Sequence, residues 1–307
     1  MAIMTPVPYI TPEILVNAPT GISWQTIPSR NSTPAQQVAE QWNICRRASA
    51  MMDVEVNQRL RATVSTETLL APDFRVTVVP SVQTAYVLLA RKPILEIISG
   101  AYAYNIPPLN WVSIPANAFV INQPSPGVYG SLTPGDAAES GQSVTVAPGY
   151  ITWQNGRKSQ FLKVTYISGY PLCQLTADAP AASTSLTVDD VTGWAPVVSG
   201  GPGAAGTVYD AGNEEVLTTL TTSAVTGPGQ LILSAPTAFA HQAGTLISSM
   251  PTQLMQAALL FAVSQALVRG ATATGVQSLA GTAIHGDSPQ AYATEAELLC
   301  KPYRRMM

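Results

Sequence analysis

Two histidines, His241 and His285, are the whole imidazole complement of this 307-residue chain, so a catalytic triad or a histidine metal site would have to be built on one of them. Neither has an Asp, Glu or Cys at the spacing of a zinc or triad motif. His241, inside Ala238-Phe239-Ala240-His241-Gln242-Ala243-Gly244, reads as a turn residue between two strands. Asp189-Asp190 and Glu214-Glu215 could supply the paired carboxylates of a glycosidase or the oxygens of a calcium site. Neighbours along a strand point to opposite faces, so each pair offers at most one inward acid. The expectation is solvated turn charges.

The run Gly201-Pro202-Gly203-Ala204-Ala205-Gly206 matches G-x-G-x-x-G, the spacing that lets backbone approach a pyrophosphate at a helix N-terminus. The next six residues, Thr207-Val208-Tyr209-Asp210-Ala211-Gly212, lack the apolar period of the required helix, so the segment reads as a flexible loop. No Walker A, G-x-S-x-G or H-E-x-x-H sequence occurs. Cys45, Cys173 and Cys300 are odd in number and far apart, which reads as buried thiols rather than disulfides or a zinc knuckle. Trp111, Trp153 and Trp194 could stack on a sugar or serve as core and interface residues. The C-terminal Lys301-Pro302-Tyr303-Arg304-Arg305 is either a frayed terminus or a basic tail able to meet phosphate or an acidic partner. No catalytic residue, metal ligand or cofactor-binding residue is assigned; no enzyme activity and no cofactor are expected.

The elements that would carry these groups are announced by composition. Only 11% of residues are charged, less than half of the roughly 25% usual for soluble domains, while 46% are hydrophobic. The net charge of −3 gives no basic footprint for nucleic acid. The most apolar run, Leu254 to Val268, is broken by Gln256, Ser264 and Gln265 and is too short for a membrane span. The N-terminus shows neither a basic region nor an apolar core of a secretory signal, so synthesis and action in a cytoplasm are expected. Between Lys163 and Arg269 there is no Lys or Arg, but six acids: Asp178, Asp189, Asp190, Asp210, Glu214 and Glu215. The remainder is slightly basic, and a break of this size marks a separate module.

The predicted fold is α+β. Helices are expected over 33–69, 251–270 and 288–300, a β region over 74–171, and an inserted acidic all-β module over 174–248. The core would thus comprise 1–173 plus 249–307. Thr33, Pro34 and Gln36 form a capping-box start, followed by a stripe at Val38, Trp42, Cys45, Ala48 and Met52. A second stretch, about Val54 to Leu69, carries Val56, Leu60 and Val64 and is expected to continue the helix after a break. Phe74, Val76 and Val78 alternate, Ala85–Leu89 and Ile94–Ile98 come next, and Asn155-Gly156 is a hairpin turn signal between Tyr150–Trp153 and Gln160–Ile167. Inside the module, strands are expected at 185–188, 215–220, 231–233 and 245–248. Pro251 opens the apolar helix, a Gly/Thr-rich loop spans 270–286, and Asp287-Ser288-Pro289 starts the last helix.

Taken in order, these parts resemble a head-to-tail connector, the adaptor or neck protein of a tailed bacteriophage. The resemblance rests on Pro19-Thr20-Gly21-Ile22-Ser23-Trp24, Val76-Thr77-Val78-Val79-Pro80-Ser81, Leu89-Ala90-Arg91-Lys92-Pro93-Ile94, Pro148-Gly149-Tyr150-Ile151-Thr152-Trp153 and Val164-Thr165-Tyr166-Ile167-Ser168-Gly169-Tyr170-Pro171. It extends through Ser185–Gly193, Phe239–Thr245 and the closing Glu297–Arg305. It implies a homo-oligomeric ring of about twelve copies between the portal protein and a tail or head-closure protein, with DNA passing through unbound and no membrane involved. It places the protein at the virion neck, assembled in the host cytoplasm. By the same resemblance Tyr303, Arg304 and Arg305 would dock on the portal, and Val38, Trp42, Leu259, Val263 and Leu267 would pack helices within or between subunits. The acidic module would line the channel or face the tail. Deleting Lys301–Met307 is expected to spare the fold and abolish portal attachment. The alternatives are a head-closure or tail-completion protein and, more distantly, a carbohydrate-binding or hydrolytic β protein with an acid pair near Trp153 or Trp194.

Overall fold

The structure, a computed structural model, describes residues 7–304 apart from 21, 25–26, 28–30, 72–74, 80–83, 123–141, 149, 152–159, 196–202 and 270–287. It is α+β, as the sequence predicts, and its chain forms two compact units: Met1–Leu60 with Pro171–Arg304, and Arg61–Tyr170 with Arg305–Met307. The chain crosses between the units after Leu60 and again after Tyr170, the second crossing close to the expected start of the acidic module. That module groups with the helices, and the β region stands by itself.

In the first unit, α1 (Pro12–Asn17) and α2 (Pro34–Val56) precede the module, and α3 (Thr252–Val268) and α4 (Pro289–Cys300) come after it. The capping box of α2 is present: the Thr33 side chain accepts from the Gln36 N–H, and the Gln36 side chain accepts from the Thr33 N–H. The helix ends at Asn57, whose φ of 56° places it in the left-handed region that stops helices. The predicted continuation to Leu69 is thus wrong. Val56, Leu60 and Val64 are four apart by coincidence, and the β-branched Thr63, Val64, Thr66 and Thr68 prefer the strand they form.

The helices pack on one another, with α3 touching both α2 and α4. Apolar on every side, α3 buries Leu254, Ala258, Phe261 and Val263 among others, as such a helix must. Helix α4 meets it through Ala293, Ala296 and Cys300, small residues at steps of three and four that permit close approach. The buried stripe of α2 is Ile44, Cys45, Ala48, Met52 and Val56. Cys45, Ala48 and Met52 are the part of the expected stripe that it contains; Trp42 is half-buried, and Val38 is left 48% exposed.

The module is a closed β-barrel. Strands β9 (Leu172–Gln174), β10 (Ser185–Val188), β11 (Ala205–Tyr209), β12 (Glu215–Thr222), β13 (Gly229–Leu233) and β14 (Leu246–Ser248) are ordered β10-β13-β12-β11-β14-β9. The circle closes where the chain beyond β9 returns to β10: Leu175 pairs with Val188, and the Thr176 N–H donates to the Thr187 carbonyl at 2.9 Å. Closure removes the open edges that would otherwise recruit another chain. The four predicted strands are present; of the two others, β9 lies at the module's edge and β11 is the one the glycines concealed. Inside sit Cys173, Leu186, Val188, Val208, Leu217, Leu231 and Ile247, packed with Trp194.

The barrel's two ends are neighbours. Leu172 pairs with Ser248, and the Ser249 N–H donates to the Pro171 carbonyl at 3.0 Å. Replacing residues 172–248 with a short Gly/Ser linker is therefore expected to leave the helices folded, because the linker spans one strand spacing and the barrel keeps its own core. Circular dichroism of the excised chain checks this; loss of the helical signal would show that the helices need the barrel.

The second unit pairs two four-stranded antiparallel sheets. One has the order β1-β8-β4-β5: β1 (Thr63–Ala71), β8 (Gln160–Ser168), β4 (Ile94–Tyr104) and β5 (Val112–Ile114). The other is β2-β3-β7-β6: β2 (Val76–Val79), β3 (Thr84–Val87), β7 (Ser143–Val146) and β6 (Phe119–Asn122). One core, including Leu69, Val87, Ile97, Phe119, Val144 and Val164, draws on both sheets. The Asn155-Gly156 turn, Phe74, the 270–286 loop and Asp287 lie outside the described residues.

Candidate functional site

The strongest convergence of titratable groups is one that motif spacing does not reveal. His241, in the β13–β14 connection, has a wholly buried side chain. Its Nδ1 lies 2.9 Å from Asp210 Oδ2, just past β11, and its Nε2 lies 2.6 Å from Glu215 Oε1, at the start of β12. The backbone at His241 also pairs with Ala179 in both directions. Glu215 accepts from the Ala238 and Phe239 N–H groups as well. Burial pushes the Glu215 carboxyl upward, but donation from Ala238, His241 and Phe239 outweighs it and holds the group below its ordinary value.

Chemically, this is a clasp rather than a catalytic centre. Both ring nitrogens are engaged and face opposite ways, so they cannot share one metal ion or hand a proton to a substrate. Among the described residues no cluster of three or more His, Cys, Asp or Glu is arranged to hold a metal. The signal that could have exposed the clasp was the charge asymmetry: across a stretch without Lys or Arg, His241 is the single side chain able to carry positive charge. His285 lies outside the described residues.

The other acids are likewise spent on the fold. Asp178 accepts from the Ala243 N–H at 2.8 Å and Asp189 from the Gln174 N–H at 2.6 Å. Asp190 accepts from the Thr192 N–H, the Thr192 hydroxyl and the Gly227 N–H. Five of the six acids, all but Glu214, thus hold barrel loops in place, which replaces the expectation of solvated turn charges.

The described part of the glycine motif, Gly203 to Gly206, is packed against Trp194 and runs into β11 at Ala205, where a phosphate cradle would need a helix. Gly206 lies in β11 under the indole of Trp194, where an added Cβ would stand 2.5 Å from the ring. Gly203 is equally crowded, its hypothetical Cβ falling 2.7 Å from the Trp194 carbonyl oxygen. The glycines are there to wrap a tryptophan. Gly201 and Pro202 lie outside the described residues. Trp194 is therefore core and offers no sugar-stacking face. Trp111 is half-exposed, with the Lys163 ammonium 5.8 Å from its ring centre, and Trp153 lies outside the described residues.

The C-terminal segment is only partly a tail. Tyr303 is buried, its hydroxyl donates to Gln253 Oε1 at 2.9 Å at the start of α3, and its carbonyl accepts from Gln58 Nε2. Arg304 stays half-exposed and pairs with Glu55 on α2; Arg305 lies outside the described residues. Deleting Lys301–Met307 would thus strip a buried aromatic from the helices, contrary to the expectation that the fold is spared. Of the helix-packing residues, Val263 is buried, Trp42, Leu259 and Leu267 are half-buried, and Val38 is exposed.

All three cysteines are buried and free, and burial pushes the thiols of Cys45 and Cys300 up to about 12 and about 11, which makes them inert near neutral pH. Among the described residues no helix is long and apolar enough to cross a membrane. Comparison with known proteins finds no matching family model, no matching curated protein and no matching solved structure.

Proposed function

We propose that this chain is a structural adaptor of the head-to-tail junction of a tailed bacteriophage, acting in a ring between portal and tail components through which DNA passes. The observation that carries the reading is the distribution of apolar surface. At the β4–β5 hairpin of the second unit, Tyr104, Ile106, Leu109, Trp111 and Val112 fall within nine consecutive positions, each between 40% and 53% exposed. Scattered apolar residues are ordinary, but such a concentration suits a surface covered in assembly. The scarcity of charge in the sequence points the same way, and so does the use of the clasp and barrel acids for internal bonding.

The test is the mass and appearance of the purified protein, alone and mixed with its portal protein. Light scattering and electron microscopy should find rings; a monomer under both conditions would sink the reading. The tail is tested separately, because its parts differ in burial. Removing residues 305–307 together with Arg304→Ala is expected to leave the melting profile near wild type and to reduce co-sedimentation with portal rings. Removing 301–307 is expected to cost about 2–4 kcal/mol by emptying the Tyr303 site. Unchanged co-sedimentation of the first variant would end the docking role of the basic residues.

A further inference from the structure

The outer faces of α2 and α4 each set apolar surface beside a charge, Arg46 on α2 and Glu295 on α4. On α2, Trp42 and Arg46 are one turn apart and so share one face. Arg46 is exposed, and its guanidinium lies 5.8 Å from the centre of the half-buried Trp42 ring. Tryptophan and arginine are the residues that most often dominate binding energy at interfaces. On α4, Ala291, Tyr292, Glu295 and Leu298 line a concavity of about 500 Å³, and Leu298 is 63% exposed. This helix carries Glu295 and Glu297 and no cation. Each helix uses its other side to pack on α3.

We infer that these faces meet between copies: Trp42 of one protomer seats in the α4 concavity of the next, with Arg46 against Glu295. The occupant is a second copy of this chain because a basic apolar knob and an acidic apolar hollow are both present on it, on different helices. A contact between two different patches is heterologous, and repeated round a closed rotation it makes a ring. The inference rests on the adaptor reading and names the interface that the reading needs.

Charge reversal tests it on the full chain, with the assembled fraction measured by analytical ultracentrifugation over a concentration series. Arg46→Glu and Glu295→Arg should each raise the concentration needed for half-assembly by about tenfold or more, since each juxtaposes like charges. The double reversal should restore assembly to near wild type. Trp42→Ala and Leu298→Asp should leave the protomer's helical circular dichroism intact and abolish rings. Rings that ignore all these variants would overturn this interface while leaving the adaptor reading standing. Single reversals that weaken assembly without rescue by the double would also overturn it. A wild-type chain that stays monomeric at every concentration, with and without portal, would overturn both.

Discussion

Replacing His241 with leucine should destabilise the barrel by about 2–4 kcal/mol, the scale of leaving largely covered carboxylates without their hydrogen-bond partner. The side chain of His241 is wholly buried, and those of Asp210 and Glu215 are only 18% and 12% exposed. Leucine matches the volume but donates nothing, so two carboxylates are left facing an apolar group. No Lys or Arg between residues 164 and 268 can swing in to replace the lost donor. His241→Gln should cost less, since its amide can still donate to one of them. Denaturant titration of the barrel alone, residues 171–249, measures both, and equal losses for leucine and glutamine would refute the clasp.

The same site makes the barrel acid-sensitive. Glu215 is held below its ordinary value in the folded state, so the unfolded chain takes up its proton first as pH falls. The stabilisation it gives is complete above the ordinary glutamate range and disappears as pH drops through the lowered folded value. Glu215→Gln should therefore flatten the acid limb of the stability profile. An unchanged acid limb in that variant would assign the effect to other carboxylates.

What could be read from the sequence was what local chemistry determines. Thr33, Pro34 and Gln36 announce the start of α2 because capping is settled within four residues. The apolar run from Leu254 had to be a buried helix, and the barrel strands at 185–188 and 231–233 alternate over too few residues to be anything else. The errors came where distant contacts decide. Val64 continues a helical spacing from Val56, yet it pairs with Ile167 across a sheet. Tyr303 reads as tail, but its hydroxyl finds Gln253, fifty positions away. The clasp joins residues 26 and 31 positions apart, a distance no motif spacing covers. Charge asymmetry marked the stretch that folds as the barrel but suggested an acidic surface. The carboxylates are instead largely satisfied by the module's own N–H groups and by one imidazole.

Trp194→Ala should be the most damaging single substitution in the barrel, costing about 3–5 kcal/mol, because it empties the largest fully buried side chain among the described residues. More telling is its coupling to Gly206. An alanine Cβ at 206 would stand 2.5 Å from the indole, so Gly206→Ala in the wild-type background must displace either the ring or β11 and should cost about 1–3 kcal/mol. The ring has little room to yield. The Trp194 carbonyl accepts from the Thr219 hydroxyl at 2.6 Å, and that hydroxyl also lies 3.1 Å from the Ala204 carbonyl, tying both ends of the contact together. With Trp194→Leu, the smaller side chain vacates the space the alanine needs, and the cost of Gly206→Ala should fall. A double-mutant cycle is then expected to give a coupling of about 1 kcal/mol or more. Additive losses would mean that Gly206 is required by its own backbone rather than by the tryptophan above it. Coupling would show that a sequence resembling a phosphate-binding fingerprint serves in this fold as a packing device: glycine appears where a strand must pass within van der Waals contact of an indole that fills the barrel.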